Sequence, residues 1–95
     1  MPRVIDLFSR SLVPSPEALE SRVGDETVIL HLGNDTYYGL DFLGTGIWEL
    51  LKEGTPLPAI CDRLVAEYCV DATRVQADVV SFVDDLLAHD LLVDA

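Results

Sequence analysis

The sequence predicts a domain of the α+β class, in which a three-stranded antiparallel sheet is followed by three helices. Two observations lead to this prediction. Residues 19–40 form short runs that suit strands, with turn residues between the runs. From residue 41 onward, apolar residues recur every three or four positions, which is the period of a helix that packs by one face. Strands followed by helices in this order are typical of α+β domains.

Two turns divide the predicted strands. They lie at residues 24–25 and 33–35, where glycine, asparagine and aspartate tolerate the left-handed backbone of tight turns. Side chains alternate between two faces along the second strand, so one face of the sheet is expected to be buried. The predicted strands of this antiparallel meander are residues 19–23, 27–32 and 36–40.

Each predicted helix has a start signal. Asp41 is the expected N-cap of the first helix, and Thr55 followed by Pro56 predicts a capped start for the second. Either Asp71 or Thr73 caps the third helix, whose apolar face is unusually wide. The predicted ends of the three helices are Gly54, Tyr68 and His89.

The N-terminal end of the chain is predicted to be extended and the C-terminal end to form a strand. Pro14 and Pro16 favour an extended backbone, so residues 1–17 are predicted to be an N-terminal arm or short edge strand, and residues 18–95 the domain. Residues 91–93 are predicted to form a final strand that closes the sheet. The chain has neither an apolar run of roughly 18 residues nor a secretory signal pattern. We therefore expect a cytoplasmic protein without a membrane partner.

The charge of the chain argues against a nucleic-acid partner. The order of the elements resembles a winged helix-turn-helix arrangement, which often binds DNA. The net charge is −11, however, and the six basic residues are dispersed. Because affinity for nucleic acids comes mainly from neutralising phosphates, we expect no such binding. In the third helix, which would have to enter the major groove, Arg74 is opposed by Asp71, Asp78, Asp84, Asp85 and Asp90.

The sequence predicts no catalytic, metal or cofactor site. Cys61 and Cys69 lack zinc-ligand spacing and are expected to be reduced and mostly buried. Gly44 and Gly46 do not belong to a phosphate-binding loop, because no lysine follows them, and helix packing is the expected reason for both. The usual set of nucleophile, base and orienting group is missing, so we expect no enzymatic activity.

Two adjoining segments carry a resemblance to a known family. Residues 33–41, Gly-Asn-Asp-Thr-Tyr-Tyr-Gly-Leu-Asp, and residues 46–51, Gly-Ile-Trp-Glu-Leu-Leu, resemble PqqD-like proteins, the RiPP recognition elements. The resemblance covers residues 19–93 and is strongest to the stand-alone leader-binding proteins of lasso-peptide pathways. It implies that an extended leader peptide joins the third strand and packs across the third helix. It also implies that a separate cysteine protease cleaves the leader, and a cyclase is a further candidate partner.

The same two elements supply the predicted peptide-binding residues. An unpaired strand edge offers backbone N–H and C=O groups to a peptide, and the helix face offers apolar anchors. Taken singly, the tyrosines, Val79 and Phe82 are better explained as packing residues, and Trp48 is assigned to the core. Only the combination of an edge strand and a wide helix face favours a groove. The predicted residues are Thr36, Tyr37, Tyr38, Gly39 and Leu40 on the strand, and Val75, Asp78, Val79 and Phe82 on the helix.

These observations predict a leader-recognition protein in ribosomal peptide biosynthesis that contributes no chemistry of its own. The alternative is a structural or regulatory adaptor that forms a homodimer through the face of the third helix and binds no leader. The sequence leaves open whether the chain is a monomer or a homodimer.

Overall fold

A computed structural model of the chain describes residues 8–95. The first part of the predicted arm, residues 1–7, lies outside the described residues. The order of elements is the predicted one, with one short strand near each chain end. The elements are β1 (Leu12–Pro14), β2 (Ala18–Val23), β3 (Glu26–His31), β4 (Thr36–Leu40), α1 (Phe42–Lys52), α2 (Leu57–Tyr68), α3 (Ala72–Ala88) and β5 (Leu92–Asp94).

Strands β2, β3 and β4 form the predicted antiparallel meander, in that spatial order. The turns contain Gly24 and Asp35, which adopt φ angles of 62° and 55°. One face of the sheet is buried, as expected, and it is the face that carries Thr27, Ile29 and His31 of β3. The helices cover this inner face. The α+β fold class is therefore confirmed.

The final strand does not close the three-stranded sheet, so that prediction is wrong. Strand β5 instead pairs with β1 in a separate two-stranded sheet, because Leu12 and Leu92 both bury their side chains in the common core. A bidentate ion pair between Arg10 and Asp94, with N···O distances of 3.0 and 3.1 Å, adds to this pairing. The division of the chain at residue 17 stays a prediction.

The helix starts agree with the sequence in two cases of three. The carboxylates of Asp41 and Asp71 accept hydrogen bonds from backbone N–H groups of the first turns of α1 and α3, so Asp71 rather than Thr73 caps α3. Helix α2 begins one residue later than predicted, with Pro56 at the N-cap position and no side-chain cap. Pro58 lies in its first turn, where a missing N–H costs little.

The core lies between the sheet and the helices, with Trp48 at its centre. Trp48 is 1% exposed, which confirms its assignment to the core. Cys61 is buried as predicted, and burial raises the pKa of its thiol. Cys69 is exposed, so that prediction is wrong; it occupies the C-cap of α2 with a left-handed φ of 51°, beyond the last buried turn. Within residues 8–95, no helix is long and apolar enough to cross a membrane.

A buried hydrogen bond joins the sheet to the first helix. The hydroxyl oxygens of Thr27 on β3 and Thr45 on α1 lie 3.0 Å apart, and both residues are almost fully buried. Removing one hydroxyl leaves the other without this partner, and an unsatisfied buried polar group costs about 1–3 kcal/mol.

We predict that Thr27→Val lowers the free energy of unfolding by about 1–3 kcal/mol, because the Thr45 hydroxyl loses its partner. The double variant Thr27→Val, Thr45→Val should recover most of this loss, since both polar groups are then removed and valine has a similar shape. Urea denaturation of the wild type, both single variants and the double variant gives the coupling energy. Strictly additive losses would show that the hydroxyl pair contributes nothing.

Candidate functional site

Strand β4 has one open edge. It pairs with β3 on one side, and no other strand among residues 8–95 pairs with its other side. In an antiparallel ladder, every second residue directs its N–H and C=O away from its partner strand. Two or three residues of β4 therefore present backbone groups at the open edge. The side chain of Leu40 is buried in the core, and that of Tyr37 is exposed on the opposite face of the sheet.

An apolar cleft of about 270 Å³ lies where the three helices meet. Arg74 and Asp78 are the only charged residues that line it. Its volume is slightly below the range of roughly 300–1,000 Å³ that small-molecule pockets occupy, so it suits one or two apolar side chains. The lining residues are Leu43 and Ile47 of α1, Leu64 and Tyr68 of α2, Val70 of the connection, and Arg74, Val75, Asp78 and Val79 of α3.

Helix α1 approaches α3 closely at Gly44, beside the end of β4. A Cβ atom at Gly44 would lie 3.3 Å from Cε1 of Phe82 and 3.5 Å from Cβ of Leu40. Phe82 therefore lies beside the end of β4, and helix packing explains Gly44 as predicted. At Gly46 nothing lies within 4 Å of such an atom, so packing does not explain that glycine.

Tyr38 connects β4 to the other end of α3. Its hydroxyl donates to the Asp85 carboxylate at 2.9 Å, and its ring makes a T-shaped contact with the His89 ring at a centroid distance of 5.2 Å. Neither Asp85 nor His89 is among the site residues that the sequence predicts. The spacing of these residues could have indicated the contact, because Phe82, Asp85 and His89 are three and four residues apart and share one helix face.

The structure brings some of the predicted site residues together and separates others. Val75, Asp78 and Val79 line the cleft, although the two valines are also buried core residues. Phe82 is near the cleft but does not line it. Tyr37 lies on the outer face of the sheet, away from α3. Three half-exposed apolar residues of the cleft were not predicted: Leu43, Tyr68 and Val70. The spacing of residues within one element does not show which elements pack against each other.

A three-stranded antiparallel sheet covered on one face by three helices defines a small winged-helix-like α+β domain. No cluster of three potential metal ligands occurs within residues 8–95. The chain belongs to the PqqD family, because the family described as coenzyme PQQ synthesis protein D matches residues 26–92. A search of curated proteins finds no match.

Two solved structures are similar to this chain. TbiB1 in complex with the TbiA(beta) leader peptide is 40% identical, with a TM-score of 0.80 over 84% of this chain and 93% of that one. Lasso peptide synthetase B1 complexed with the leader peptide has a TM-score of 0.81 over 87% of this chain and 98% of that one; at 20% identity it supports the fold alone. The resemblance to PqqD-like proteins of lasso-peptide pathways is confirmed.

We predict that Tyr38 makes stability depend on pH in the alkaline range. Burial, followed by the hydrogen bond to Asp85, raises the pKa of Tyr38 to about 12, whereas an unfolded phenol titrates near about 10. Because the folded pKa is the higher one, this stabilisation is complete below about pH 10 and is lost as the pH rises towards 12. The unfolding free energy of the wild type should therefore fall more steeply above pH 10 than that of Tyr38→Phe.

Urea denaturation at pH 8, 9.5 and 11 measures this difference. Tyr37→Phe is the matched control, because Tyr37 is the neighbouring residue, is exposed and has no hydrogen bond to α3; it should follow the wild type. If Tyr38→Phe and the wild type lose stability in parallel, the contact with Asp85 does not hold the phenol in its protonated form.

Proposed function

We propose that this chain binds the leader segment of a ribosomally made precursor peptide of a lasso-peptide pathway and delivers it to a separate leader peptidase. The single observation that carries the proposal is the open edge of β4, which ends beside Phe82 of α3, the helix whose Val75, Asp78 and Val79 line the apolar cleft. The chain itself contributes no catalysis. The candidate residues are the predicted β4 and α3 residues together with Leu43, Tyr68 and Val70 of the cleft.

Strand addition fits the geometry of β4. An incoming strand would lie about 4.7–4.9 Å from β4, with side chains alternating between the two faces of the sheet. Side chains on the inner face would meet α3 near Phe82. Beyond Leu40, where β4 ends and α1 begins, the peptide would continue into the cleft beside Leu43 and place an apolar side chain there.

Micromolar binding of the leader requires both the strand edge and the apolar cleft. About four or five backbone hydrogen bonds at about 0.5–1.5 kcal/mol each contribute about 2–7 kcal/mol. Micromolar binding needs about 8 kcal/mol, and part of the gross energy is lost in ordering the peptide. Burying one large apolar side chain contributes about 1.5–3 kcal/mol, so one or two apolar side chains of the leader in the cleft supply the remaining binding free energy.

The acidic charge of the chain favours a leader or partner enzyme that carries basic residues. Asp78 lies on the lining of the cleft, and its contact with Arg74 is a weak one at 4.0 Å between exposed side chains. The chain as a whole carries a net charge of −11. A leader or partner enzyme with basic residues would therefore be attracted, mainly through a faster encounter.

The structure of TbiB1 supports the proposal. TbiB1, which is 40% identical, was solved in complex with a leader peptide. By holding the leader, the chain would raise the effective concentration of the cleavage site at a peptidase, which speeds cleavage without new chemistry. The peptidase, a cysteine protease, is proposed to be another chain, and the cyclase is a further proposed partner in the cytoplasm.

We predict that a fluorescently labelled leader, taken from the precursor encoded beside this chain, binds with a dissociation constant in the micromolar range or tighter. Leu43→Gln should weaken binding about fivefold to tenfold, because it places an amide on the apolar lining of the cleft. Phe42→Gln is the matched control: Phe42 precedes Leu43 on α1, is also exposed, and does not line the cleft. Fluorescence anisotropy measures all three proteins.

Phe42→Gln should bind within about twofold of the wild type. A folded wild-type protein that shows no saturable binding would contradict leader recognition for this precursor. Equal losses in both variants would contradict the role of the cleft and leave the strand edge as the whole site.

We also predict that N-methylation of the leader affects binding with a period of two residues. A peptide paired with β4 donates alternate N–H groups to that strand, and a methyl group removes the donor and blocks the approach. Anisotropy with a series of singly N-methylated leaders tests this on the unaltered protein. Uniform small effects along the peptide would show that the leader does not bind as an added strand.

A further inference from the structure

A second cleft adjoins the apolar cleft and lies between α1 and α2. Its volume is about 220 Å³. Leu43, Leu64 and Tyr68 line both clefts, so the two are neighbours that share one wall. We call the second one the α1–α2 cleft. Its lining combines apolar and charged residues, which are Leu43, Gly46, Glu49, Leu50 and Glu53 of α1 and Arg63, Leu64, Glu67 and Tyr68 of α2.

The α1–α2 cleft is acidic, because three glutamates and one arginine line it. Arg63 already contacts Glu67 at 3.2 Å, and Glu49 contacts Lys52 at 3.2 Å. The third glutamate, Glu53, has no ion-pair partner in the part of the chain that the structure describes. It is also the C-cap of α1, where the helix dipole places partial negative charge. The charge that is left uncompensated in this cleft therefore favours a cation beside Glu53.

Gly46 keeps one wall of the α1–α2 cleft open. Packing does not explain this glycine, since no atom lies within 4 Å of the place where its Cβ would stand. A glycine inside a helix lowers stability relative to alanine, so the position calls for another reason. Gly46 lines the cleft, and any side chain at this position would narrow the space that an occupant needs.

The mixed lining suits an occupant that is apolar along its stem and positively charged at its end. A lysine or arginine side chain can lay its methylene groups along Leu50 and Leu64 while its charged head reaches Glu53. A second copy of the chain is a poor occupant, because it would bring another net charge of −11 against an acidic surface. A basic side chain of a bound peptide is the complementary one.

We propose that the α1–α2 cleft binds a lysine or arginine side chain of the leader, close to the leader residue that occupies the apolar cleft. The inference rests on the proposed function, because it requires a leader that continues from β4 across α1. The two clefts share a wall, and an extended chain spans about 3.3–3.6 Å per residue. The basic residue should therefore lie within about three residues of the apolar one, on the side away from the added strand.

Two series of synthetic leaders test this proposal. Both are based on the precursor encoded beside this chain; one replaces single residues by lysine, and the other replaces the same residues by glutamate. Fluorescence anisotropy at about 0.15 M salt measures the dissociation constants, since exposed charges more than about 8 Å apart are then largely screened. At one or two neighbouring positions, the wild type should bind the lysine leader at least about fivefold more tightly than the glutamate leader.

Variants of the chain locate the basic residue. Glu53→Lys should reduce the preference for lysine to within about twofold, and Glu53→Gln should give an intermediate value, because the charge of the cleft changes in two steps. Asp62→Lys is the matched control: Asp62 is an exposed acid on α2, lines neither cleft, and changes the net charge by the same amount as Glu53→Lys. It should keep the preference of the wild type. Urea denaturation checks that all variants are folded.

The outcomes separate this inference from the proposed function. Leaders that bind the wild type, with no position at which lysine and glutamate differ by more than about twofold, overturn the inference and leave leader recognition intact. A preference that survives both Glu53 variants, or one that Asp62→Lys removes equally, also overturns it, because the basic residue then responds to charge elsewhere. If the folded wild type binds no leader of either series, the proposed function itself fails.

Discussion

The site depends on the close approach of two helices and a strand at Gly44. With no side chain there, α1 can start directly after β4 while Phe82 of α3 lies against the first turn, 3.3 Å from where a Cβ would stand. The Asp41 carboxylate, which caps α1 through the N–H of Gly44 at 2.8 Å, fixes the same turn. This one junction sets the position of α3 relative to β4. It places Phe82 beside the end of the edge strand, on the same helix as Val75 and Val79 of the cleft.

Much of the fold could be predicted from local patterns. The meander, the caps at Asp41 and Asp71 and the burial of Trp48 follow from turn residues, capping chemistry and helical spacing, all of which act within a few residues. The pairing of β5 with β1 could not be predicted in this way, since it depends on contacts between residues about 80 positions apart, such as Arg10 and Asp94. The start of α2 was predicted one residue too early because Pro56 and Pro58 both suit the beginning of a helix, and residue preferences alone do not show which of them lies in its first turn.

The candidate site, like the fold, could be predicted only in part. Residues on β4 and α3 could be singled out because one edge strand and one wide helix face were visible in the sequence. The cleft, however, is completed by Leu43, Tyr68 and Val70, which come from three different segments, and their side chains meet only after the helices pack. The contact from Tyr38 to Asp85 and His89 was missed because acids on a helix of an acidic protein are usually solvated. The ion pairs of Glu20 and Arg22 on β2 likewise depend on Lys52 and Glu49, which lie on α1.

The pairing of β1 with β5 also makes the domain modular. Ala95 donates its backbone N–H to the carbonyl oxygen of Ser11 at 2.7 Å, so the points where the chain enters and leaves the described domain are neighbours. A domain whose entry and exit lie side by side can be inserted into another protein with little disturbance to either partner. The same geometry allows the order of its elements to be permuted, with new ends at an exposed turn such as that at Gly24. Evolution can thus use this unit as a separate chain or as a built-in segment of a larger enzyme.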